Sequence, residues 1–328
     1  MQIMGAGRIL AVAALLAIAA ASIVLVTVQN WKQQQASVIW FMPKTTAPGT
    51  EFWQVMLQGV HTAAAEVGAE IHVAGTAEEA DVEGQIALLE QAVREKPRAV
   101  ILAATDYNRL VPAASKVREA GITLVTVDSG VSEEQAASLI ATDNYAAGRK
   151  AGRALGSGLM LGDTAVIISF VRGSTTAIER EAGVRDSMTG ISGLRLLQTR
   201  YSDSSVEQAY ELTRELLEEE PDLKAIAALN EMTVVGSAKA IEEAGLAGTV
   251  RLVGFDSSMD EIAYMERGVL DATVVQRPFN MGYLAVRTAA AAAAGERVEP
   301  VIDTGSVVIT RANMYTEENQ KLLFPFIE

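Results

Sequence analysis

The stretch Leu252–Gly282 constrains the fold of this chain more than any other segment. Its apolar runs end abruptly in polar residues, which predicts a strand at Leu252–Phe255, a helix at Met259–Arg267 and a strand at Ala272–Val275. Gly268 lies where the helix should end. Two parallel strands joined by a helix form the basic unit of a sheet that helices cover, so this segment predicts an α/β protein.

Each of these two strands is followed by a hydrogen-bonding side chain, Asp256 and then Gln276. In open parallel sheets, ligands bind in the crevice beyond the carboxyl ends of the strands. A carboxylate that accepts hydrogen bonds, beside a carboxamide that both donates and accepts, suits a polyhydroxylated ligand. The alternative is that Asp256 only caps the next helix and Gln276 is an ordinary loop residue.

The same alternation of strand and helix runs through the chain from Ser37 onward. Two successive runs of apolar strands predict two doubly wound lobes, each with a parallel sheet covered on both faces, and a length of 328 residues fits two lobes. The other predicted strands are Val38–Met42, Ile71–Ala74, Ala99–Ala104, Ile122–Val127, Ala165–Phe170, Leu194–Thr199 and Ala225–Leu229. The other predicted helices are Phe52–Val67, Val82–Arg94, Leu110–Ala120, Tyr145–Leu155, Thr176–Met188, Val206–Glu219 and Met232–Ala244.

Charge and cysteine content exclude several classes of function. With 27 Lys and Arg against 41 Asp and Glu, the net charge of −14 argues against nucleic acid or anionic lipid as a partner. The absence of cysteine excludes disulfides, thiol catalysis, thiolate metal sites and a lipid-modified cysteine anchor. His61 and His72 lack metal-like spacing, so we expect no metal and no cofactor.

The first 36 residues predict a membrane anchor and a linker. Arg8 precedes the apolar run Ile9–Val28, whose length of about 20 residues is enough for a helix to cross a bilayer. We expect an uncleaved transmembrane helix with its amino terminus in the cytoplasm. A signal peptide cleaved near Ala19–Ala21 is the alternative, and both interpretations place the globular part outside the cytoplasm.

Polar side chains follow the predicted strands in both halves of the chain. If the lobes face each other, these side chains line a cleft, and Phe52 or Trp53 can lay an apolar ring against the C–H face of a sugar. Core packing of one aromatic ring, a capping role for Asp128 and a solvated surface position for Arg180 remain alternatives. The polar candidates are Lys44, Thr105, Asp106, Asp128, Arg172, Arg180, Asn230, Asp256 and Gln276.

A family resemblance extends over nearly all residues from Ser37 onward. The motifs that carry it are Met42–Thr45 with Phe52-Trp53, Val127-Asp128, Gly173 with Arg180–Gly183, Leu229–Met232, Val253–Asp256 and Ala272–Gln276. In this order and spacing, the chain resembles the type I periplasmic sugar-binding proteins of ABC importers, the group that contains the ribose, allose and galactose binders.

The resemblance implies a role for each matching residue. One or both of Phe52 and Trp53 stack on the sugar ring, and Lys44 matches a lysine that contacts the sugar in allose-like members. The expected hydrogen-bonding residues are Asp128, Arg180, Asn230, Asp256 and Gln276, with Asp106 and Thr105 at the place of a further polar contact.

Two departures from the family pattern concern the expected site. Ser129 follows Asp128 where ribose and galactose binders often have arginine. Ser204 stands where many members have a second stacking aromatic, and Phe170 is a possible substitute. Arg172 and Arg277 add positive charge near the expected cleft. They either accommodate an acidic or phosphorylated ligand or form ion pairs with nearby acids.

The resemblance also implies a hinge of three chain crossings between the lobes. We expect them near Thr142–Asn144, Arg277-Pro278 and Thr304–Ser306. The lobes then comprise residues 37–142 plus 278–304 and residues 143–277 plus 305–328. Because both lobes contact the sugar, the closed arrangement alone gains all of the hydrogen bonds, and binding should drive closure.

The expected function is extracytoplasmic binding of a monosaccharide or related polyol and its delivery to an ABC permease. A membrane-tethered sensor that signals to a histidine kinase or chemoreceptor is the alternative, and neighbouring genes would discriminate between them. An enzyme is disfavoured because neither histidine follows a strand and no Ser-His-Asp order is present. A DNA-binding repressor is excluded because the predicted span occupies the place of a helix-turn-helix before Ser37.

Overall fold

The computed structural model describes residues 38–132 and 135–324. The predicted anchor and linker, residues 1–36, lie outside this part of the chain. Among the described residues, no helix combines the length and the apolar character that crossing a membrane requires.

The described residues form alternating strands and helices. The strands are β1 (Val38–Met42), β2 (Glu70–Val73), β3 (Ala99–Leu102), β4 (Thr123–Val127), β5 (Leu139–Ala141), β6 (Thr164–Ser169), β7 (Arg195–Leu196), β8 (Arg200–Tyr201), β9 (Leu223–Ala228), β10 (Arg251–Phe255), β11 (Ala272–Val275), β12 (Val301–Asp303) and β13 (Val307–Thr310). The helices are α1 (Glu51–Val67), α2 (Val82–Glu95), α3 (Val111–Glu119), α4 (Asn144–Gly156), α5 (Thr175–Met188), α6 (Val206–Glu219), α7 (Glu231–Glu243), α8 (Met259–Arg267), α9 (Pro278–Ala293) and α10 (Glu317–Leu323).

Two sheets divide these strands into two lobes. The first lobe has the parallel order β12-β5-β4-β3-β1-β2, and the second has the order β13-β11-β10-β9-β6-β7, with β8 also paired to β6. Apolar clusters lie on both faces of each sheet, as expected for doubly wound lobes. The prediction of two α/β lobes is therefore confirmed, although β13 joins the second sheet antiparallel to β11.

The chain passes between the sheets three times. It leaves the first sheet after β5, returns to it through α9 after β11, and enters the second sheet again between β12 and β13. Helix α9 packs closely on α1. Glycine at positions 59 and 282 permits this approach, because a Cβ at Gly59 or Gly282 would overlap the backbone of the opposite helix. This close packing joins the returning chain to the first lobe.

One predicted strand was wrong, and two short strands were not predicted. Leu194–Thr199 is not continuous: β7 pairs with Thr164 and Ala165, and β8 pairs with Ile168 and Ser169, so the chain leaves the sheet edge between them. Strands β12 and β13 are short and only partly buried, and a segment of this kind carries little hydrophobic periodicity.

Candidate ligand-binding cleft

A small cavity of about 30 Å³ lies between the two lobes, beside the carboxyl ends of strands from both sheets. This position is typical of small-molecule sites in α/β proteins. All of the predicted site residues except Thr105, Asp106 and Arg172 line it. The lining residues are Lys44, Thr50, Phe52, Trp53, Glu79, Asp128, Phe170, Thr176, Arg180, Asn230, Glu231, Asp256 and Gln276.

A buried ion pair forms the first-lobe side of the cavity. Lys44, which follows β1, lies 2.8 Å from Oδ2 of Asp128, which follows β4. The Lys44 ammonium also donates across the cleft to Ser174 Oγ at 3.0 Å and Thr176 Oγ1 at 3.1 Å. Asp128 has a φ of 61°, a left-handed conformation that is unfavourable for a residue other than glycine. Such strained positions cluster at functional sites, and this one turns the carboxylate of Asp128 into the cleft.

Asp256 and Gln276 form the corresponding pair in the second lobe. Gln276 Nε2 donates to Asp256 Oδ1 at 2.6 Å, and Asp256 Oδ2 accepts from the backbone N–H of Glu231 at 3.2 Å. Asp256 is also left-handed, with a φ of 79°. Among the described residues, Gln276 Oε1 is buried without a hydrogen-bond partner, so an acceptor is available to a ligand in the cavity.

Asp256 does not cap the helix that follows it. Ser258 is the N-cap of α8 and forms a capping box with Glu261. The carboxylate of Asp256 instead lies at the amino-terminal end of α7. The capping alternative for Asp256 was therefore wrong.

Arg180 is a buried residue, 2% exposed, so a solvated position was also wrong. Its Nε donates to Asn144 Oδ1 at 2.9 Å, its Nη1 donates to Leu229 O at 2.8 Å, and its guanidinium carbon lies 4.3 Å from the centre of the Phe255 ring. Burial lowers the pKa of the Arg180 guanidinium, whereas the carboxylates of Asp256, Asp128 and Glu79 act to raise it. These contacts hold a cation rigidly among acids.

Asn230 has both a structural contact and a contact towards the cleft. Its Oδ1 accepts from the backbone N–H of Thr233 as the N-cap of α7, and its Nδ2 donates to Ser204 Oγ at 2.6 Å. The Ser204 hydroxyl in turn donates to Glu79 Oε2 of the first lobe at 2.8 Å. A polar bridge between the lobes therefore occupies the place where a second stacking aromatic was expected.

The aromatic candidates have different environments. Trp53 is 6% exposed, packs in the core of the first lobe and donates its Nε1–H to Glu79 Oε1 at 2.7 Å. Phe52 is half-buried and meets the Trp53 ring edge to face, with ring centres 5.0 Å apart. The Phe170 ring lies on the opposite lobe, 5.6 Å from the Lys44 ammonium. Rings from both lobes thus adjoin the cavity.

Thr50, Glu79, Thr176 and Glu231 line the cavity but were not predicted. Glu79 lies in the loop after β2, where the strand-end rule could have found it. Glu231 lies within the motif Leu229–Met232, but its position as the first residue of α7 gave no sign of a contact across the cleft.

A group of buried acids surrounds the second-lobe side of the cavity. Glu231 accepts from the backbone N–H groups of Glu51 and Phe52, each at 3.1 Å, yet burial outweighs these contacts and raises its pKa to about 8. Burial also raises the pKa of Asp256, and it raises the pKa of Glu261 well above the usual range, with the charges of Asp256 and Glu231 adding to the effect.

The remaining candidates lie away from the cavity. Asp106 Oδ1 accepts from the backbone N–H groups of Asn108 and Arg109, which fixes a local turn. Thr105 is buried and donates its backbone N–H to Gln85. The structure therefore does not bring Thr105 or Asp106 to the other candidates.

The two arginines that could attract an acidic ligand also lie outside the cavity. Arg172 stacks on the Tyr201 ring, 3.9 Å from its centre, and Arg277 lines a neighbouring pocket at the hinge. Ser129, at the place of the missing arginine, donates to Ala104 O at 2.6 Å. Among the described residues, no group of acidic or histidine side chains could hold a metal ion.

Two lobes of this topology around a polar cavity define a two-domain ligand-binding protein. Residues 39–297 match the family described as periplasmic binding protein domain, and the chain belongs to this family. The resemblance noted in the sequence is thereby confirmed.

Several relatives have known ligands. The chain is 30% identical over 231 residues to a D-ribose/D-allose-binding protein of Pseudomonas aeruginosa, which covers 69% of this chain and 72% of the relative. It is similar in structure to a carbohydrate transporter solute-binding protein of Agrobacterium radiobacter in complex with D-arabinose, with a TM-score of 0.83, 30% identity and coverage of 88% and 98% of the two chains. An ABC transporter solute-binding protein of Agrobacterium vitis with bound D-fucose gives a TM-score of 0.82, 33% identity and coverage of 87% and 99%.

Proposed function

We propose that this chain binds a neutral monosaccharide or a related polyol between its lobes and delivers it to an ABC permease. The observation that carries the proposal is the set of buried polar groups that both lobes direct into one cavity, including the unpartnered Gln276 Oε1. Carboxylates, a carboxamide and two cations provide both acceptors and donors for hydroxyl groups. The rings of Phe52 and Phe170 provide apolar surface for the C–H face of a sugar.

The charge of the cavity favours a neutral ligand over an acidic one. Two cations, Lys44 and Arg180, face four acidic side chains, Glu79, Asp128, Glu231 and Asp256, and burial raises the pKa of Glu231 to about 8 and also raises that of Asp256. The cavity therefore has no excess of positive charge, and a carboxylate or phosphate would add an uncompensated negative charge to a site of low dielectric. Arg172 and Arg277 do not change this balance, since both lie outside the cavity.

The relatives support both the ligand class and the importer. They are named for ribose, allose, arabinose and fucose, all of which are neutral sugars. A ribose import binding protein of Haemophilus influenzae is 27% identical over 261 residues, covering 79% of this chain and 87% of the relative. A binding component of an importer, rather than an enzyme, is the function that fits these proteins.

The proposed mechanism is closure of two lobes about a three-crossing hinge. The proposed lobes comprise residues 37–142 plus 278–304 and residues 143–277 plus 305–328, which agrees with the passage of the chain between the two sheets. Polar side chains of both lobes contact one another across the cleft, as in Lys44 with Ser174 and Glu79 with Ser204. A sugar held by both lobes stabilises the closed arrangement through its differential contacts.

The proposed location is the outer face of the cytoplasmic membrane, with Ile9–Val28 as the anchor. Mass spectrometry of the mature protein from membranes tests this, because an uncleaved anchor retains residues 1–36. A mature amino terminus shortly after Ala21 would show a cleaved signal peptide instead.

Thermal unfolding of the full chain in detergent tests the ligand class. The panel comprises neutral pentoses and hexoses, inositols, and acidic or phosphorylated sugars. A ligand that binds only the folded state raises the melting temperature by mass action, and we expect a shift with one or a few neutral sugars. A shift confined to the acidic or phosphorylated sugars would contradict the neutral ligand, and no shift with any compound would contradict sugar binding.

A further inference from the structure

At the starts of helices in the two lobes, backbone N–H groups donate hydrogen bonds to glutamate side chains of the opposite lobe. Glu231 begins α7 in the second lobe, and its two oxygens accept from the backbone N–H groups of Glu51 and Phe52 at the start of α1, each at 3.1 Å. In the opposite direction, Glu51 Oε1 accepts from the backbone N–H of Met259, the first residue of α8, at 3.1 Å. Each lobe therefore supplies a carboxylate to a helix of the other.

Helix α1 depends on this contact for a side-chain cap. Its N-cap residue, Thr50, makes no side-chain hydrogen bond to the helix. The first N–H groups of a helix have no partner within the helix, and a carboxylate there also interacts favourably with the helix dipole. In an open arrangement water must satisfy these N–H groups, whereas in the closed one Glu231 does so.

The same contact forms a wall of the ligand cavity. Phe52 and Glu231 line both the cavity and the neighbouring hinge-side pocket, which includes Arg277 and Phe279. Because Glu231 binds the backbone N–H of Phe52, it also fixes the position of the aromatic ring proposed to meet the sugar. Glu51 lines the hinge-side pocket but not the cavity.

We propose that Glu231 and Glu51 are positioning residues that set how readily the lobes close, each by capping a helix of the opposite lobe. The ligand-binding role of the cleft is taken from the proposed function, but the capping contacts themselves can be measured without a sugar. Loss of one cap should weaken both, because each holds the lobes at the distance that the other needs.

Amide hydrogen exchange of the sugar-free full chain in detergent tests the capping directly. Glu231→Ala should speed exchange at Glu51 and Phe52 about fivefold, the effect of losing a typical cap, and should also speed exchange at Met259. Glu51→Ala should speed exchange most at Met259, and it should also speed exchange at the amides of residue 51 and Phe52. Glu207→Ala, which removes an exposed first-turn glutamate of α6, is the matched control and should change none of these amides.

Faster exchange only at the amides that the removed side chain contacts would overturn the proposal, because the glutamates would then be local caps without an effect on closure. Unchanged exchange in Glu231→Ala would overturn it as well. If Glu231→Ala fails to fold by circular dichroism, Glu231→Gln replaces it. The carboxamide has one acceptor oxygen, so exchange at Glu51 or Phe52 should still rise.

Affinity measurements give a second readout. With the neutral sugar that raises the melting temperature most, Glu51→Ala should raise Kd about fivefold although Glu51 does not line the cavity. If no sugar binds, the exchange result still decides the capping proposal, whereas the proposed function fails.

Discussion

The two lobes present polar groups to the cleft in different ways. In the second lobe Arg180 is held by Asn144 and Leu229 of its own lobe, and Gln276 is held by Asp256. In the first lobe, Lys44 and Glu79 have partners in their own lobe but also form hydrogen bonds across the cleft, which opening would break.

The difference suggests an order of events. Side chains that are held by their own lobe keep their geometry when the lobes separate. The second lobe should therefore bind the sugar first. The first lobe loses partners on opening and regains them on closing, so it should determine how long the sugar stays. Most affinity differences within one interface lie in the dissociation rate.

The largest effect should come from Asp256→Asn, on the preformed side. The substitution keeps the shape of the side chain but removes a charge that accepts from Gln276 and from the Glu231 N–H. In the proposed complex the Asp256 carboxylate also accepts from sugar hydroxyls, and loss of two such charge-assisted hydrogen bonds of about 1.5 kcal/mol each corresponds to a roughly 100-fold rise in Kd.

Calorimetric titration with a sugar that wild type binds would measure this rise, with Asp222→Asn, at an exposed turn, as the control. The melting temperature without sugar should be retained, since the charge removed lies beside Glu231 and Glu261. Loss of folding together with binding would mean that Asp256 is structural.

Lys44→Met should have the next largest effect and a different kinetic signature. It removes the ammonium that joins Asp128 to Ser174 and Thr176, so we expect a roughly 20-fold rise in Kd. The rise should lie in the dissociation rate measured by stopped-flow, with little change in association. Lys116→Met, which breaks an exposed pair with Glu90, is the control. A slower association with unchanged dissociation would reverse the proposed order of the lobes.

Glu79→Gln should have a smaller effect on the same side of the cleft. The carboxamide keeps an acceptor for Trp53, and its amide group can donate to the Ser204 hydroxyl, so both charge-assisted hydrogen bonds become neutral ones. The expected rise in Kd is about fivefold, with Glu78→Gln at an exposed neighbour as the control. A rise in Kd as large as that of Asp256→Asn would show that Glu79 contributes as much to sugar binding as Asp256 of the second lobe does.

Glu261→Gln should affect stability rather than binding, and only at higher pH. The folded state holds a proton on Glu261 that the unfolded state loses above about pH 4.3, so the free energy of unfolding falls as pH rises through this window. Glutamine can still complete the capping box with Ser258. The variant should melt at the wild-type temperature near pH 4 and above it at pH 8. If the variant and wild type also melted at the same temperature at pH 8, the ionisation of Glu261 would not lower the stability of the folded state.

Much of the fold was predictable because near-continuous apolar strands alternate with helices, and the family assignment was confirmed. The strand-end rule brought Asp128, Asn230 and Asp256 to one cavity, while their contact with a sugar remains a prediction. Asp106 follows a strand too, but a local turn uses its carboxylate. Glu231 could not be predicted, because its partners lie on a helix of the other lobe and sequence patterns report local structure.

The most direct test of the account is the distance between the lobes during a sugar titration. Because the chain has no cysteine, Glu119→Cys and Glu215→Cys place two spin labels at exposed sites on α3 and α6, one on each lobe. With the sugar that shifts the melting temperature most, the distance distribution should narrow to the closed distance, with a midpoint equal to the calorimetric Kd. Saturating sugar that leaves the distribution unchanged would contradict closure around a ligand shared by both lobes.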